Sequence, residues 1–213
     1  MDIFGEIADE RRRMADLLAG LTAEQGRTPS LCEAWTVHDV SAHLIMPLEV
    51  STARLAVTML ACRGDFDRAN RRLTRRVAAR PLDEIVGVLR QGAESRFTPP
   101  GAGPGAPLTD LLVHGLDIRW PLGLTRELPA ARARASLEFL TSRQAAGLVP
   151  RGALDGVRLE ADDVGWTHGA GPVVRGDAEA LLLALTGRTV GLEHLSGDGL
   201  PVLRTRIARP THT

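Results

Sequence analysis

The chain has 213 residues, 44% of them hydrophobic, with 26 basic and 26 acidic residues and a formal net charge of zero. That is enough apolar sequence for a core of its own, and a pI near 7.0 offers no basic field to draw in phosphate backbones or anionic lipid. Nucleic acid and membrane surfaces are therefore not expected partners. No apolar stretch reaches the length of a membrane span, and the start does not read as a signal sequence, so a cytoplasmic protein, monomer or homodimer, is expected. All the basic residues are Arg, with no Lys or Tyr and a single Asn, Asn70, which reads as the codon bias of a high-GC genome. Cys32 and Cys62 lack CxxC spacing, so each is expected to be a reduced, buried thiol rather than half of a disulfide or part of a zinc knuckle.

The first 150 residues carry helical periodicity. Ile3, Ile7, Met14, Leu17, Leu18 and Leu21 recur as one buried stripe, leaving Arg11 to Arg13 on the wet side. Thr36 and Asp39 have the spacing of a capping box, which predicts a second helix starting after Trp35 and running to about Ala61, kinked at Pro47. A third helical region spans Phe66 to Ser95. Its run Arg71, Arg72, Arg75, Arg76 alternates with Ala69, Leu73 and Val77 and reads as a solvated face, with a phosphate-binding patch as the alternative.

A Gly/Pro-rich loop from Pro99 to Pro107 delivers the chain to a helix near Leu108, and Pro129 opens another that includes Leu137, Phe139 and Leu140. After Gly152 the texture changes. Val157 to Glu160 and Val202 to Ile207 read as strands, with short segments near Trp166 and Val173 and one helix, Ala178 to Leu185. The chain thus divides into a helical part, residues 1–150, and a small α/β part, residues 151–213.

Asp110 and His114 are four apart on a predicted helix, so both side chains lie on one face and can share an ion. A divalent catalytic site takes about three protein ligands and keeps an open position, and His43, whose helix face continues through Met46 and Val50, is the best third donor. The bland alternatives are a satisfied core histidine and an ordinary helix ion pair. His38 is five residues from His43, about 140° round the helix, so both cannot face one ion, and Asp39 suits the cap. His168, His194 and His212 are expected at the surface.

Three segments carry a family resemblance: TPSLCEAWTVHDVSAH (Thr28 to His43), LTDLLVHGLDIRWPLG (Leu108 to Gly123) and LEADDVGWTHGAGPVVRGDAEALLLALTGR (Leu159 to Arg188). Together they resemble the mycothiol-dependent maleylpyruvate isomerase family, whose metal-binding fold is DinB-like. The resemblance implies a mainly α chain, a DinB-like four-helix bundle over residues 1–150 followed by a small α/β C-terminal domain over 151–213. It also implies that His43, Asp110 and His114 hold zinc, or a related ion such as nickel. The family's isomerases usually carry Glu where this chain has Asp110.

The implied cosubstrate is mycothiol, with a small-molecule electrophile as the other reactant. A thiol held at the open metal position ionises near neutral pH and becomes a nucleophile. Addition followed by bond rotation and loss of the thiol is isomerisation; a persistent adduct is transfer. Asn70, Arg119, Arg204 and Arg206 are candidates for binding cosubstrate or substrate, and Asp117 for lining the pocket, with the arginines suited to a carboxylate. A metal-binding sensor or sequestering protein without turnover, and a metal-dependent hydrolase, would use the same ligands, and dependence of turnover on the thiol separates them. No nucleophile elbow, Cys–His pairing or phosphate loop can be placed.

Overall fold

The computed structural model describes residues 1–99 and 101–207. The chain forms two compact units: Asp2–Phe97 with Asp117–Thr125, and Thr98–Leu116 with the chain from Arg126 onward. None of the described helices is long and apolar enough to cross a membrane.

In the first unit, α1 (Ile3–Ala19) buries Ile7, Met14, Ala15 and Leu18, the three- and four-residue recurrence expected of one stripe. The arginines beside it divide. Arg12 and Arg13 are exposed, but Arg11 is buried, contrary to the expectation of a wet side for all three. The reason is tertiary. Helix α6 (Leu82–Gln91) packs on α1, and the Arg11 guanidinium donates to the carbonyls of Gly92, Ala93 and Ser95 at 3.4, 2.9 and 2.6 Å. Carbonyls at and just beyond a helix C-terminus have no partner within the helix, and a buried cation is the strongest donor available to them.

A short helix, α2 (Ala23–Arg27), leads to α3 (Val37–Glu49), which starts at the anticipated capping box. Asp39 N donates to Thr36 Oγ1 at 3.2 Å and Thr36 N to Asp39 Oδ2 at 2.9 Å. The helix does not run on to Ala61. Pro47 supplies no N–H to the His43 carbonyl; α3 ends two residues later, Val50 turns extended, and Ser51 caps a new helix, α4 (Thr52–Ala61), by accepting from Arg54 N. The third helical region also breaks in two. α5 (Phe66–Val77) and α6 are separated by a turn that ends at Pro81, extended at ψ 157°. On α5 the arginine run is exposed while Ala69, Leu73 and Val77 are buried, as the alternation indicated. Helix α3 packs on both α5 and α6.

The second unit begins with α7 (Gly105–Arg119), whose last turn belongs to the first unit, and α8 (Ala130–Leu140), entered at Pro129 as expected. A Cβ on Gly105 would come within 2.9 Å of the Phe139 ring, so a glycine allows this close approach. Strands β1 (Arg158–Ala161), β2 (Trp166–Gly169) and β3 (Val173–Gly176) form a sheet of order β2-β1-β3, antiparallel on one side of β1 and parallel on the other. Helix α9 (Ala178–Leu185) is buried along its whole apolar run and packs on α8 and β3.

Residues 202–207, expected as a strand, lie in helix α10 (Leu200–Ile207). Leu203 and Ile207, four apart, are its buried pair, while Val202 is 38% exposed. Proline is favoured in a first helical turn and Pro201 stands there, its carbonyl accepting from the Thr205 hydroxyl at 2.9 Å. In so short an apolar run the two periods are hard to tell apart, and the four-residue pair decides it. The chain is thus mainly helical with a small C-terminal three-stranded sheet.

Replacing Arg11 by Ala strips buried carbonyls of a charged donor and should cost about 2–3 kcal/mol of stability in urea denaturation, whereas Arg12→Ala should stay within about 0.5 kcal/mol.

Candidate metal centre

His43 lies on α3 and is 8% exposed. Its imidazole packs against the Trp35 ring at 5.2 Å between centroids, tilted by 51°. The preceding loop holds Trp35 in place. Val37 N donates to the Thr28 carbonyl at 2.9 Å, Ser30 N to the Trp35 carbonyl at 2.9 Å, and Ala34 takes a left-handed φ of 62° to make the turn. His38 points elsewhere, its Nε2 3.0 Å from the Ala78 carbonyl oxygen, and Asp39 is committed to the cap.

Asp110, His114 and Asp117 stand at positions 0, 4 and 7 along α7, one face of a helix. Every residue from Leu108 to Arg119 is buried except Asp110 and His114. A helix buried nearly all round is apolar for that reason, and this acid and imidazole are its one opening. His114 Nε2 lies 3.4 Å from Asp110 Oδ1. Two ligands each about 2.1 Å from a tetrahedral ion lie about 3.4 Å apart, so the pair is set at the spacing that one ion would require.

Asp117, fully buried, receives two hydrogen bonds from the loop that carries Trp35: Cys32 Sγ donates to its Oδ2 at 3.0 Å, and Leu31 N to its carbonyl at 3.2 Å. Cys62 is buried as expected, but Cys32 is only half-buried. Within each unit one pair of neighbouring donors is of the kind that can hold a metal ion: Asp110 with His114, and Cys32 with Asp117. An imidazole and a carboxylate are donors suited to zinc or nickel; the second pair offers a softer thiolate. The sequence reading assigned Cys32 no metal role. Asp117 stands three residues past His114, which is a visible signal, but its pairing with Cys32 crosses 85 positions and leaves no local pattern.

The other candidates are dispersed. Asn70 is half-buried on α5 and Arg119 is buried in the last turn of α7. On α10, Arg204 donates to the Leu192 carbonyl at 3.4 Å, and Arg206 donates to the carbonyls of Ala153 and Asp155. His168, stacked on Trp166, and His194 are exposed; His212 lies outside the described residues.

The fold is that of a mainly helical protein, with Asp110 and His114 as a candidate pair of metal donors on α7. Residues 7–96 match the family described as mycothiol maleylpyruvate isomerase N-terminal domain. Two solved structures share the fold: the mycothiol-dependent maleylpyruvate isomerase, at 15% identity, and its histidine-to-alanine mutant, at 16%. Each has a TM-score of 0.52 and aligns over 93% of this chain and 96% of its own. No curated protein sequence matches the chain.

The thiol–carboxylate contact can be weighed by a double-mutant cycle in urea denaturation. Asp117→Ala should cost about 1–3 kcal/mol, Cys32→Ala less, and the pair should couple by about 0.5–1.5 kcal/mol.

Proposed function

We propose that the protein is a mycothiol-dependent enzyme in which His43, Asp110 and His114 hold a divalent ion, zinc or nickel, and which acts on a small electrophile by isomerisation or thiol transfer. The observation that carries the reading is the Asp110–His114 pair. It has ligand spacing, and it is the one polar opening in a helix otherwise buried from Leu108 to Arg119. The family match over residues 7–96 supports it further.

When bound, the ion would keep a thiol ionised near neutral pH. The residues of the chain supply the rest. Trp35 packs on the imidazole of His43 and limits its rotation. The Asp110 carboxylate and the His114 imidazole lie a turn apart on a rigid helix. Asp110, one methylene shorter than Glu, keeps carboxylate ligation with a shorter reach. Asn70, Arg119, Arg204 and Arg206 are the proposed contacts for mycothiol or an acidic electrophile. Arg119 is buried at the end of α7, and Arg204 and Arg206 donate to backbone carbonyls that they would have to give up to serve.

Elemental analysis of untagged protein should find near-stoichiometric zinc or nickel, absent from His114→Ala and retained in Cys32→Ser. Turnover of a small electrophile should then require mycothiol. Metal-free wild-type protein would overturn the metal assignment, and turnover without thiol would move the reading to hydrolysis. Metal loss in Cys32→Ser with retention in His43→Ala would shift the ion to Cys32 and Asp117.

A further inference from the structure

Within the first unit, the end of α3, the start of α4, the stretch of α5 from Leu73 to Val77 and the turn after it line a cleft of about 480 Å³. Its walls carry Arg54, Arg76, Arg80 and Glu49, and Leu73 and Val77, both buried, form an apolar part of its lining. Arg80 Nη1 and Glu49 Oε1 are 2.6 Å apart, and the carboxylate raises the guanidinium pKa above its ordinary value. That pair is neutral in sum. Arg54 and Arg76 have no carboxylate partner among the described residues, so the cleft holds two uncompensated guanidiniums beside an apolar surface. Guanidinium groups bind carboxylate and phosphate through forked, charge-assisted hydrogen bonds, and a cleft partly walled by low-dielectric side chains strengthens their field.

We propose that this cleft binds a small oxyanion, a carboxylate or a phosphate carried on a short apolar stem, with the anionic group between Arg54 and Arg76 and the stem on Leu73 and Val77. Glu49 acts as an internal competitor that occupies Arg80 and moderates the affinity. Part of the arginine run on α5 thereby has a binding role, while Arg71, on the same helix but not lining the cleft, has none. This site does not depend on the metal assignment, since none of its residues is among the proposed ligands.

The test is calorimetric titration of the full chain at low ionic strength, where charge contacts are least screened, with phenyl phosphate, benzoate and inorganic phosphate as probes. At least one stem-bearing probe should bind one to one and more tightly than inorganic phosphate, and which of the two binds better identifies the oxyanion. The double variant Arg54→Gln, Arg76→Gln should weaken that binding about tenfold or more. Arg71→Gln should leave it unchanged. Glu49→Gln, which frees Arg80, should strengthen it roughly threefold. The substituted side chains are exposed and outside the core, so circular dichroism should report an intact fold. No binding of either stem-bearing probe, equal affinity for inorganic phosphate, or an unaffected double variant would overturn the proposal, as would weaker binding in Glu49→Gln.

Discussion

Helix α7 imposes the constraint on which the candidate site depends. From Leu108 to Arg119 it is buried but for Asp110 and His114, so every polar side chain it carries either has a partner or incurs a desolvation cost. Asp117 meets this demand with the Cys32 thiol. Asp110 and His114 meet it partly with each other and partly by keeping some access to solvent. The imidazole and the carboxylate stand 3.4 Å apart. The apolar character of the rest of the helix therefore narrows what this pair can be for.

On α3 the same logic works through the backbone. The capping box fixes where the helix starts, and that start fixes the direction of His43 two turns on. The loop before it, pinned by Val37 N and Ser30 N, turns Trp35 onto the imidazole. Two hydrogen bonds tie this loop to Asp117 as well, so Cys32 and Leu31 couple the Trp35 platform to the end of α7. A functional side chain needs this kind of support, since small errors in ligand direction are costly.

What could be read in the sequence was local. The Thr36 cap, the entry at Pro129, the extent of α9 and the exposed arginine face of α5 depend on residues within a few positions of one another, and so does the four-residue spacing of Asp110 and His114. What could not be read came from partners far along the chain. Arg11 looked solvated because the carbonyls that bury it lie more than eighty positions away. The restart at Ser51 was hidden because Pro47 suggested a kink, while the cap that ends the matter stands four residues further on. Helix α10 was misread because six residues of mixed Val, Leu, Ile, Arg and Thr fit a period of two nearly as well as one of 3.6. Each miss was a tertiary or capping interaction overriding a weak local preference.

With arginine in place of every lysine, this protein must use one residue type for two jobs, and the partners separate them. A guanidinium held by backbone carbonyls, as Arg11 and Arg206 are, spends its fork on the fold. Its release would leave unsatisfied acceptors behind, which sets a cost against any ligand that competes for it. Arg54 and Arg76 carry no such commitment to a carboxylate among the described residues. Arg80 stands between, held by one carboxylate in an exposed pair, and exposed pairs are weak enough to be exchanged. Availability therefore rises from Arg11 through Arg80 to Arg54 and Arg76. The last two flank a cleft that includes apolar side chains, where a small anion can gain charge contacts and apolar burial together without taking a donor from the fold.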